Sequence, residues 1–113
     1  MTFTVDHSNP AFFVLSGSAL GGPEAMEFTE AVNSCIGSGV VCAVVDLSGL
    51  ELMNSSGLGM LVAASRNLVG AGGGIALIGA NDRIQKLFTM TRLDSVFRQY
   101  ETREEAAASF DIR

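Results

Sequence analysis

A chain of 113 residues, 48% of them hydrophobic and 17% charged, is long enough for one domain, 1–113, with a core of its own, and too apolar to stay disordered. Seven Lys plus Arg against twelve Asp plus Glu, a formal charge of −5, give no basic footprint for nucleic acid or an anionic bilayer, so a protein or a small molecule is the expected partner. Cys35 and Cys42 lack metal-ligand spacing and a secretory context. Buried, reduced thiols are expected of them, and with neither a leader-like start nor an apolar run of membrane-spanning length, a cytoplasmic domain.

The opening run Thr2-Phe3-Thr4-Val5-Asp6-His7 alternates polar and apolar residues as a half-exposed edge strand does. Ser8-Asn9-Pro10 is a turn, and Ala11 to Leu15 returns as a more deeply buried strand, so the two form an antiparallel hairpin. His7, the single histidine, is a surface residue on this reading. Ser16 to Gly22 is a loop, and Pro23 and Glu24 suit the first turn of a helix whose inward face is Ala25, Phe28, Thr29, Val32, Cys35 and Ile36. Gly37-Ser38-Gly39 ends it.

Val40 to Val45 is an unbroken, mostly β-branched run, as expected of a central strand covered on both faces. Leu47 to Ser56 then reads as a loop, with Asn54 or Ser55 capping a helix that packs through Leu58, Leu61, Val62, Ser65, Leu68 and Val69. Gly70 to Gly74 breaks that helix; no Lys-Ser/Thr follows, so the glycines do not make a phosphate cradle. Ile75 to Ile78 is a short buried strand. Asn81 caps a helix with an inward stripe of Ile84, Leu87, Phe88 and Thr91, while Arg83, Gln85 and Lys86 face water. Val96 to Tyr100 alternates as an outer strand, and Thr102-Arg103-Glu104-Glu105 is a capping box before a short alanine-rich helix closing with Phe110.

This order gives an α/β domain: a mostly parallel sheet of about five strands with an antiparallel N-terminal edge hairpin, and about four helices. Ligands and partners of such sheets meet loops at the carboxyl ends of the strands, here 16–22, 47–56 and the turn at Ala80 and Asn81. Nucleophilic chemistry at Ser55 or Ser56 would need a neighbouring base, a third group to orient it and the Gly-x-Ser-x-Gly elbow of a hydrolase. None is apparent. Asp46 and Glu51 lack a spacing that would fix them as a pair, and no metal-ligand cluster stands out. The serines are therefore expected to be acted upon by another protein.

The pattern Asp46-Leu47-Ser48-x-Leu50-x-x-Met53-Asn54-Ser55-Ser56-Gly57-Leu58, followed by Gly72-Gly73-Gly74, Leu87-Phe88 and Leu93-x-x-x-Phe97, resembles the STAS family of anti-sigma factor antagonists. The resemblance covers nearly the whole chain, and its most specific part is the Ser-Ser-Gly-Leu junction. It implies a small domain without catalysis or a cofactor of its own, bound by an anti-sigma factor that is also a serine kinase of the histidine-kinase-like ATPase type, with release of a sigma factor as the result. The same resemblance makes Ser55, before Ser56, the residue that the kinase phosphorylates, and a metal-dependent phosphatase the enzyme that restores it. By the same resemblance the partner-facing surface is Ser18, Leu20, Met53, Asn54, Ser55, Ser56, Gly57 and Leu58. At two positions the chain departs from the family pattern: Asn54 and Leu20 stand where acidic residues are usual. Domains of this family also serve as structural subunits of phospholipid-transport ABC assemblies. A ligand sensor using the rim glycines with Phe12, Phe13 and Phe28 is a further alternative.

Overall fold

A computed structural model describes residues 1–110. The alternating opening segment forms β1 (Thr2–Asp6), which pairs antiparallel with β2 (Ala11–Ala19). α1 (Pro23–Gly37) leads to β3 (Cys42–Met53), α2 (Ser55–Gly70) to β4 (Gly74–Ile78), α3 (Asp82–Met90) to β5 (Arg98–Tyr100), and α4 (Arg103–Ala108) follows. The strands form one five-stranded sheet in sequence order, every pair after the first parallel, so β3 is central as its apolar run requires.

Alternation along β3 divides its side chains between two layers. Ala43, Val45 and Leu47 join the main core with Phe13 and Leu15 of β2, Leu77 of β4, and the inner faces of α1, α2 and α3. Val44 points the other way, into a small rear core with Ala76, Ile78 and Ala106 of α4. Phe13 and Phe28 meet edge to face at 5.2 Å between ring centroids, and Phe88 and Phe97 pack at 5.5 Å, geometries that aromatic rings favour over direct stacking.

Several expectations change. β2 runs four residues past Leu15, and β3 continues to Met53, through what reads as the loop at Leu47 to Ser56. The two strands remain paired beyond Val14 and Asp46 by means of two irregularities in register, with Ser16 opposite Gly49 and Ala19 opposite Met53. Asp46 supports the first of these by accepting the Ser48 amide at 2.9 Å and the Ser48 hydroxyl at 2.6 Å through Oδ1. Bulged pairing of this kind tolerates polar residues and glycine. Val69, expected in the α2 stripe, is 60% exposed, while Met60 and Ala64 are buried in its place. Thr91 lies beyond α3 as its C-cap, with its hydroxyl donating to the Leu87 carbonyl at 2.7 Å. Gln85 is half-buried and its amide donates to Gln99 Oε1 on the edge strand. Cys35 is buried but Cys42 only half so, and both thiols are free. β5 is shorter than expected, with Val96 exposed and Phe97 buried.

Candidate functional site

The carboxyl ends of β2 and β3 lie side by side; β2 leads to α1 through Leu20-Gly21-Gly22, and β3 leads to α2 through Asn54 alone. Asn54 is the residue on which this junction turns. It caps α2 by accepting the Gly57 amide at 2.9 Å through Oδ1, which satisfies a donor that the helix cannot pair internally. Its backbone amide donates to the Ala19 carbonyl at 3.2 Å, and its side-chain nitrogen donates to the Leu20 carbonyl at 3.3 Å. One side chain thereby ties the end of β2 to the first turn of α2.

Two glycines make this closeness possible. A Cβ on Gly57 would collide with the Ala19 carbonyl oxygen, so the start of α2 approaches the end of β2 backbone to backbone. Gly21 adopts φ +88°, and a Cβ there would come within 2.9 Å of the Ser56 Cβ. The β2–α1 connection therefore leans on the second serine and leaves the first uncovered.

Ser55 and Ser56 are both exposed in the first turn of α2, and among the described residues neither hydroxyl is hydrogen-bonded to another protein group. The first turn of α2 carries no acidic side chain, so the positive end of the helix dipole is unopposed there. Of the other residues expected at this surface, Leu20 is 53% exposed, Asn54 is exposed, and Ser18 and Met53 are half-buried. Gly57 and Leu58 are buried and support the rim from below. Asn81, which caps α3 by accepting the Ile84 amide at 3.0 Å, also donates to the Leu50 and Glu51 carbonyls and so braces the end of β3 from the other side. Only its capping role has a signal in the sequence.

Little reactive chemistry accompanies the hydroxyls. Asp6 pairs with Phe12 at the start of β2, which puts His7 at the opposite end of the sheet from the serines. Among the described residues no group of three or more His, Cys, Asp or Glu could hold a metal ion. No described helix is long and apolar enough to cross a membrane. Phe13 and Phe28, on which a ligand-sensing alternative leans, are wholly buried against each other, and Phe12 is covered by the Arg103 guanidinium at 3.5 Å from its ring centroid.

Fold and junction together define a small α/β domain with exposed alcohols presented on a rigid rim. Residues 5–106 match the model of the STAS domain, and the chain belongs to that family. A protein of Thermotoga neapolitana, described as a candidate anti-sigma factor antagonist, is 33% identical over 60 residues, 53% of this chain and 53% of that one; the match thus spans about half of that relative. The crystal structure of a candidate anti-sigma factor antagonist of Thermotoga maritima superposes with a TM-score of 0.81 at 23% identity, over 97% of this chain and 95% of that one. SpoIIAA of Bacillus in its phosphorylated form gives 0.74 at 20% identity, over 96% of this chain and 98% of that one.

Proposed function

We propose that this chain is an anti-sigma factor antagonist that works by binding and not by catalysis, in the cytoplasm. Its rim, centred on Ser55 and Ser56 with Ser18, Leu20, Met53 and Asn54 around them, docks on an anti-sigma factor that is a serine kinase, and a sigma factor is set free. Phosphate placed on Ser55 ends the association, and a metal-dependent phosphatase restores it. The observation that carries this reading is the uncovered Ser55 hydroxyl at the start of a helix whose backbone is held fast to the neighbouring strand. The description of the Thermotoga neapolitana relative and the likeness to a protein solved in a phosphorylated form support it.

Electrostatics explains how one phosphate can act as a switch. It adds about 1.5 to 2 negative charges at a helix start, where the dipole tolerates them, so the fold survives. The same charge pressed against a partner must lose its water or face like charge, which costs several kcal/mol, while about 1.4 kcal/mol is tenfold in affinity.

Capture of the kinase from the native host, followed by phosphosite mapping, tests this reading. The kinase with ATP should add one phosphate to wild type and none to Ser55→Ala, and Ser55→Asp should lose kinase binding at an unchanged melting temperature. Wild-type binding by Ser55→Asp to every captured partner would sink the switch.

A further inference from the structure

At the end of the sheet opposite the serines, a cavity of about 240 Å³ opens between the last turns of α2, the start of β4 and the connection into β5. Ser65, Val69, Ile75, Val96, Arg98 and Phe110 line it. Val69 and Val96 are 60% and 55% exposed, and both belong to this one concavity. Among the described residues Arg98 is the single cation of the lining. Among the described residues it has no carboxylate within ion-pair distance, in contrast to Arg103, which has Asp6 at 3.2 Å.

A lining that sets four apolar side chains, Val69, Ile75, Val96 and Phe110, beside an arginine selects a ligand with both an apolar and an anionic part. We propose that the cavity binds a small monocarboxylate with a short aliphatic tail. The planar guanidinium of an arginine offers a carboxylate two parallel N–H donors, which an ammonium cannot do. The tail displaces water from Val69, Ile75, Val96 and Phe110. A cavity of about 240 Å³ is small, which suits a short tail of about five carbons. A flat protein partner would need roughly 800 Å² of matching surface per side, for which a concavity of this size is no substitute. The site is independent of the rim and of any partner there.

Hexanoate is the probe. Titrated into the isotope-labelled full chain, it should shift the amides of Ser65, Val69, Gly74, Ile75 and Arg98 saturably, with a Kd of about 1 mM or below. Arg98→Gln should weaken binding about tenfold or more, and 1-hexanol, which keeps the tail and loses the charge, should bind wild type more weakly by a similar factor. Val96→Asp, which sets a carboxylate in the wall, should abolish hexanoate binding while leaving the rim amides where they are. The proposal is overturned by an absence of saturable shifts up to roughly 10 mM, by equal binding of hexanol, or by undiminished binding in Arg98→Gln. Shifts at these amides that track protein concentration without hexanoate would also overturn it, since they would assign the cavity to a second copy of the chain.

Discussion

Asn54 stands where the family pattern usually has an acid, and its three bonds show what the amide does that a carboxylate could not. Either side chain can cap α2, but only the amide has an N–H to give to the Leu20 carbonyl. Asn54→Ala should cost about 1 kcal/mol for the lost cap, a fall of about 4 °C in melting temperature measured by circular dichroism. Asn54→Asp should keep the cap and lose the donor, loosening the 19–22 connection; faster exchange of the amides there, with the α2 amides unchanged, is the expected signature. Gly57→Ala should be more damaging than either, about 1–3 kcal/mol, because the methyl group forces α2 away from Ala19. The capping role of Asn54 is legible from its type and place before an apolar helical stripe. Its bond to Leu20 is not, because nothing local signals a contact between residues 34 apart.

Elements with strong periodicity were legible to within a few residues: β1, α1, α2, α3 and β4 all follow from apolar spacing and caps, and the start of β2 does as well. β3 is the instructive exception. Asp46, Ser48, Gly49 and Glu51 have the composition of a loop, yet they belong to a strand because β2 continues beside them and bulges absorb the mismatch. Strand pairing is a property of two segments, and neither carries the whole signal. The aromatic pair beneath α3 and the chain entering β5 gives another test at this scale: Phe88→Ala should cost about 3–5 kcal/mol in urea unfolding, since Phe88 is wholly buried against Phe97. By contrast, Arg103→Ala should cost less than about 1 kcal/mol, because its ion pair with Asp6 is half-exposed and its stacking on Phe12 lies at the surface.

At the level of the whole molecule, three helices share one face of the sheet and, among the described helices, α4 alone covers part of the other. The alternation of strands and helices makes the class of fold legible, but not this unequal division, which depends on which way each crossover turns. Burial in the main core pushes the Cys35 thiol above its ordinary value of 9.0, since the core disfavours the thiolate. The unfolded chain then releases this proton before the folded one does. Stability from this source is complete below the ordinary thiol value and is lost as pH rises through the higher folded value. The urea midpoint of wild type should therefore decline above about pH 9 more steeply than that of Cys35→Ala.

The missing side chain at Gly57 reaches further than local packing. With no gap between the end of β2 and the beginning of α2, the serines stand on a helix start whose backbone lies directly against Ala19. A visiting protein would meet its target already in final form, so encounter should proceed at the unassisted docking rate of about 10⁵–10⁷ M⁻¹ s⁻¹. News carried by such a surface would travel as altered charge on an unaltered shape.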